Sequence, residues 1–128
     1  MMESFKKVAR SGKYTVEAVA VRCGNDLNVT IGGGEKYHIG AAAVAVPRLE
    51  HKDGKKRSAS TSVICIQGHR EDELSYNCAK YLATKLDCTV VVAIGIHVDD
   101  IRADEFGILL ENVNILLKNI IDYYNKQE

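Results

Sequence analysis

Residues 89–98 (TVVVAIGIHV) are apolar at both odd and even positions. Alternation on one set alone marks a strand with one wet face, so a run apolar on both sets marks a central strand covered from two sides. The run is much too short to span a bilayer, which takes about 20 apolar residues, and the next longest, 39–46, is shorter still. A soluble chain built around a buried strand is expected.

Helical candidates flank this run. Across 70–86, Leu74, Cys78, Tyr81, Leu82 and Lys85 recur at spacings of three and four, and Glu71, Asp72 and Glu73 complement the positive end of a helix dipole. Phe106, Leu109, Leu110, Val113, Leu116, Leu117, Ile120, Ile121 and Tyr124 form one sustained stripe of a long C-terminal helix. Ile108 and Ile115 lie off that stripe and hint at a further contact.

Upstream, the signals are those of strands. Residues 14–23 and 27–31 flank Gly24, Asn25 and Asp26, the pattern of a hairpin. Gly32, Gly33 and Gly34 break the second strand, residues 39–46 make a third that Pro47 stops, and 60–66 a fourth that ends at Gln67 and Gly68. Between them, 48–57 is polar and basic and reads as an exposed loop. The order β-β-β-β-α-β-α implies an α+β fold: a mostly antiparallel five-stranded sheet with two helices packed on one face, and a right-handed crossover setting strands four and five parallel. No repeat or linker divides the chain, so residues 1–128 are read as a single domain.

Two helices cover about one face of such a sheet. Residues 41–45 are alanine-rich and 58–62 carry Ser and Thr, a poor lining for a thick core but a good one for a second sheet or a flat ligand. The second face is therefore expected to be covered by another copy of the chain, as a homodimer. Composition narrows the partners. With 46% hydrophobic residues, 27% charged residues and one proline the chain is ordinary globular protein, not disordered or collagen-like. Seventeen basic and 17 acidic side chains cancel, leaving no net field for nucleic acid or an anionic membrane. The first seven residues are basic without an apolar stretch behind them, so no secretory signal is read. Cys23, Cys65, Cys78 and Cys88 form no CxxC pair and read as reduced residues of a cytoplasmic protein.

If the strands alternate direction, one edge of the sheet collects Gly32 to Gly34 with His38, then Gly68, His69, Arg70, Glu71 and Asp72, then Gly95, His97, Asp99 and Asp100. Ligands favour loops beyond the carboxyl ends of strands, so that edge is the default site. Each piece also has a plain structural reading. The glycines can simply turn the chain, since they match neither a phosphate loop nor a dinucleotide fingerprint. His69 can be a solvated residue at the helix entrance, and Asp72 a dipole partner. His97 interrupts a buried strand and needs a hydrogen-bond partner, which Asp99 or Asp72 can supply, or it serves a ligand. Zinc is weakly indicated, because the histidines come from separate loops without HxH or HxxxH pairing. No nucleophile stands beside them and no GxSxG elbow exists, so neither a catalytic residue nor a metal site is assigned.

Gly33, Gly34, His38, Ile39, Gly40 and Ala41, then Ser60 to Ser62 with Gly68 to Leu74, and Gly95 to Asp100, resemble the prenylated flavin chaperone family of gallate-decarboxylase systems. Its members are small proteins with a fold like the proteasome assembly chaperones. The resemblance runs from about residue 31 to 112; Arg70 and Asp100 stand where the family pattern has lysine and asparagine. It implies a non-catalytic carrier that holds prenylated FMN and delivers it to a UbiD-type decarboxylase of aromatic or unsaturated acids. By matching positions it implies a binding site of Gly33, Gly34, His38, His69, Arg70, Glu71, Asp72, His97 and Asp99, with Arg70 complementing charge. The alternatives are a small His/Asp acid–base or metal-dependent enzyme, and a dimeric assembly scaffold.

Overall fold

Alternation shapes the N-terminal half. In a computed structural model, which describes residues 1–49, 57–66 and 71–126, the elements run β1 (Ser4–Ala9), β2 (Val16–Cys23), β3 (Asp26–Gly34), β4 (Ala41–Leu49), β5 (Arg57–Cys65), α1 (Asp72–Leu86), β6 (Val90–His97) and α2 (Ala103–Asn125). Val16, Ala18 and Ala20 of β2, Leu27, Val29 and Ile31 of β3, Ala41, Ala43 and Ala45 of β4, and Val90, Val92 and Ile94 of β6 all turn to one face and are buried. On that face α1 packs on β4, β5 and β6 while α2 packs on β1 and β2. The helices contribute Cys78, Ala79, Leu82, Leu109, Val113, Leu116 and Ile120 to the same core. None of the described helices is long and apolar enough to cross a membrane.

The α+β class and the two helices on one face are as expected; the sheet differs in three ways. It is six-stranded and mixed, in the order β1-β2-β3-β6-β4-β5. The strand absent from the five-stranded reading is β1, whose sequence SFKKVA has no apolar period because it is an edge strand. It is held by its ladder to β2 and by Phe5, whose ring stacks on Tyr123 with centroids 4.1 Å apart. Second, β6 pairs parallel with β3, not with β5; β4 lies between β6 and β5, antiparallel to both. In its central position β6 has both backbone edges paired, and Val90, Val92 and Ile94 are buried on the face where α1 packs. Val91 and Ala93 on the other face are only partly buried, so the strand is not covered from both sides as its sequence suggested. Third, β4 continues through Pro47, which pairs with Ala59 of β5. Pairing of β4 with β6 ends at Ala45 and Val90, so beyond that point one side of β4 is an edge, where proline is tolerated.

The start of α2 is tied to the β1–β2 connection by one buried carboxylate. Glu105 is 6% exposed; it accepts a short hydrogen bond from the Tyr14 hydroxyl and another from the backbone N–H of Arg102 at 3.2 Å, and pairs with Lys13 Nζ at 3.1 Å. The Tyr14 hydrogen bond, followed by that of Lys13, holds the Glu105 carboxyl down at about 2, against an ordinary 4.5. Asn112 Nδ2 donates to the Tyr14 carbonyl at 2.9 Å, so both sides of this latch are fixed.

Because the folded-state value of Glu105 lies below its unfolded one, its stabilisation is complete above about pH 4.5 and drains away as pH falls toward 2. The thermal midpoint of Glu105→Gln is therefore expected below that of wild type at pH 7, the gap closing by pH 2. Leu116, fully buried, is expected to cost roughly 2–5 kcal/mol when cut to alanine, read from the urea midpoint.

Candidate functional site

The carboxyl ends of β3 and β6 lie side by side, Gly34 in register with His97. At the same edge β4 begins, Ala41 facing Cys65 at the end of β5 and Ile94 of β6. The glycine and histidine stretches therefore share one rim, although a strand separates β3 from β4. That intervening strand forces a detour. To pass from β3 to β4, residues 35–40 must cross β6, and they do so on the face opposite the helices, over two glycines in register, Gly32 and Gly95. A Cβ on Gly95 would stand 1.9 Å from the His38 carbonyl oxygen, and one on Gly32 would stand 2.8 Å from the Tyr37 ring. The crossing is pinned by hydrogen bonds from Glu35 N to His97 O (2.7 Å), from Gly40 N to Ile94 O (2.9 Å) and from Ile66 N to Gly40 O (2.9 Å).

His38 rides on this crossing. Its Nε2 lies 3.0 Å from Glu71 Oε1, both side chains mostly buried, in an ion-pair approach not aligned as a hydrogen bond. Glu71, the residue before α1, presses its carboxylate against Gly40, where a Cβ would meet it at 2.2 Å. Its second oxygen, Oε2, is buried and has no hydrogen-bond partner among the described residues. His97 ends β6 with its imidazole half exposed; its partner is Asp99 and not Asp72, Nε2 standing 2.8 Å from Asp99 Oδ1. The Asp99 backbone N–H in turn donates to Glu35 Oε1 at 2.9 Å. The His38 and His97 rings meet edge to face with centroids 6.4 Å apart.

Other expected residues fall less centrally. Asp72 opens α1, exposed, its carbonyl accepting from the Ser75 hydroxyl at 2.9 Å. The close backbone approaches at Gly33 and Gly34 are made by the chain itself. A Cβ on Gly33 would meet the Thr15 carbonyl at 2.8 Å, and one on Gly34, whose φ is +78°, the His97 carbonyl at 2.2 Å. His69 and Arg70 lie outside the described residues, as does most of the basic loop.

Sequence reasoning missed Glu35, Tyr37 and Glu17. Tyr37 lies over Gly32 and its hydroxyl donates to Glu17 Oε2 at 2.8 Å, on the face of the sheet away from the helices. The available signal was Glu17 itself, a carboxylate within the apolar stretch of β2, which needs a reason to be there. Beside Tyr37 opens a cleft of about 400 Å³ that reaches His38, within the size range of small-molecule sites.

The chemistry on offer at this rim is hydrogen bonding. A neutral imidazole donates from one ring nitrogen and accepts at the other according to its tautomer; in His38 the second nitrogen, Nδ1, stands 3.5 Å from the Lys36 carbonyl oxygen. The Cys78 thiol is buried in the core, which pushes it up to about 12, so it is no thiolate nucleophile at neutral pH. Among the described residues no three His, Cys, Asp or Glu side chains gather closely enough to hold a metal ion.

A comparison with curated proteins finds no match. A family model, by contrast, covers residues 10–125 of the 128, from the connection before β2 to the last residue of α2, and so includes both histidines, their carboxylates and the crossing between them. Its description is the prenylated flavin chaperone LpdD-like domain, and the chain belongs to that family.

Proposed function

We propose that the protein is a non-catalytic carrier that binds prenylated FMN and passes it to a UbiD-type decarboxylase acting on aromatic or unsaturated acids. The observation that carries this reading is the pair of imidazoles, His38 and His97, 6.4 Å apart, each set against a carboxylate, His97 half exposed and His38 mostly buried. The polar edge of an isoalloxazine alternates donors and acceptors, and an imidazole can match either through its choice of tautomer. The residues fit such a guest. Glu71 Oε2, buried and unsatisfied among the described residues, is an acceptor that a ligand N–H can meet, and the cleft beside His38 gives a ring system space.

In this reading His38, His97, Glu71 and Asp99 make the hydrogen bonds, with Asp72, His69 and Arg70 as further candidate contacts, while Gly33 and Gly34 serve the close packing of the chain on itself. Arg70 adds positive charge for an anionic guest. Hydrogen bonds and stacking suit a carrier, since release breaks no covalent or metal bond. The exposed Cys23 thiol, outside any disulfide, suits a reducing compartment, and exchange with the decarboxylase is assigned to the cytoplasm.

A second copy of the chain covers part of the face left bare by the helices. On the β4–β5 half of that face Val44, Val46 and Ile64 are 43%, 48% and 78% exposed, and Ala42 and Ile64 face each other in register. A row of exposed β-branched side chains on a sheet is a surface that association removes from water.

Co-expression with a flavin prenyltransferase, followed by an absorbance scan of the purified protein, is expected to reveal bound modified flavin. His38→Ala and His97→Ala are expected to lower retained flavin about tenfold, and the loaded wild type to restore activity to a cofactor-free decarboxylase. A colourless protein that also ignores added cofactor overturns the carrier reading. Sedimentation is expected to give twice the chain mass for wild type and a monomer for Ile64→Asp; a wild-type monomer at tens of micromolar overturns the dimer.

A further inference from the structure

On the bare face of the sheet, the cleft beside Tyr37 is built differently from the histidine rim. Its floor is flat: Val19 and Thr30 are register partners across β2 and β3, Thr30 continues to Ala93 of β6, and the next row is Glu17, Gly32 and Gly95. Tyr37 forms one wall. Gly32 leaves no side chain beneath the ring, and the hydroxyl is anchored to Glu17, so the ring is held at both ends. Yet Tyr37 remains 48% exposed. An aromatic ring fixed by a hydrogen bond, bordering a cavity and still half bare, is a surface on which a second ring can stack.

The polar groups around the cleft are ordered by charge. His38 closes it toward the rim. Glu17 contributes a carboxylate held below its ordinary range by the Tyr37 hydroxyl and by Lys6, so it stays an acceptor at neutral pH. On the β1 side stand the cations: Lys6 Nζ is 3.2 Å from Glu17 Oε1, and Arg10 acts electrostatically on both Glu17 and Tyr37. A planar heteroaromatic ring with an anionic tail complements this sequence of imidazole, aromatic wall, carboxylate and cations.

We propose that the cleft lined by Glu17, Val19, Thr30, Gly32, Tyr37 and His38 seats the ring system of the cargo, with Tyr37 as the aromatic wall that selects a planar guest and Glu17 as its positioning residue. The inference rests on the carrier reading and extends it from the histidine rim onto the open sheet face. The ring lies along Val19 and Thr30 with one edge at His38, and its anionic tail points to Lys6 and Arg10.

The test titrates the full chain with FMN and with prenylated FMN, following absorbance and the quenching of flavin fluorescence that a stacked tyrosine causes. Tyr37→Phe keeps the wall and is expected to stay within about threefold of wild-type affinity, with quenching retained. Tyr37→Ala is expected to lose roughly tenfold or more, and the quenching with it, as loss of one stacking partner does. Thr30→Trp fills the floor and is expected to abolish binding, and Lys6→Glu to weaken FMN more than riboflavin. Tyr37 is half exposed, so its truncation leaves the thermal midpoint near wild type and the comparison interpretable. Wild-type binding that survives both Tyr37→Ala and Thr30→Trp within about twofold overturns this inference alone. Failure of the wild type to bind either flavin overturns the carrier reading, and this inference with it.

Discussion

The parallel pairing of β3 with β6 is the contact on which the candidate site depends. It puts the carboxyl ends of both strands at one edge and sets Gly34 beside His97. It also wedges β6 between two strands that are consecutive in the chain, so the backbone leaving β3 has to climb over its neighbour to reach β4. Backbone can pass over backbone at that distance only where no side chain intervenes, and Gly32 and Gly95 stand in register under the crossing. Tyr37 and His38 are delivered to their positions by this detour. The carboxylates follow from the same geometry: Glu71 lies against Gly40 where the crossing descends, and Glu35 receives the backbone N–H of Asp99 where it starts.

The two faces of the sheet have separate tasks. One is sealed by α1 and α2 over small and branched apolar residues, and the Tyr14, Lys13 and Glu105 latch fixes where α2 begins. The other carries the crossing, the cleft and a row of exposed valine and isoleucine. Alanines in β4 serve both sides, letting α1 approach the sheet closely and keeping the far face shallow. A shallow, flat surface that mixes apolar and polar groups is suited to holding a planar guest reversibly, because affinity comes from many weak contacts and no single strong bond has to break.

Much of this was legible from residue pattern alone. The 3.6-residue stripe from Phe106 to Tyr124 specified α2, since nine apolar positions at that period admit no other element. The nearly unbroken apolar run 89–98 specified a strand at the centre of a sheet, and alternation with glycine turns specified β2 and β3. Convergence of His38 with His97 also followed, because strand direction alone decides which loops share an edge, and direction is unchanged by inserting β6 between two strands antiparallel to each other. The edge strand β1 was not legible: its single inward aromatic, Phe5, gains meaning only from Tyr123 on a helix more than a hundred residues later.

Local sequence, then, determined the elements, the rim and the small-residue character of the sheet, because hydrophobic period and glycine conformation act over a few residues. Strand order, the crossing over β6, the partner of each histidine and the cleft beside Tyr37 were decided by tertiary structure. Those depend on which long-range pairing buries the valines of β6 most completely, a comparison between whole arrangements of the chain that no short window contains.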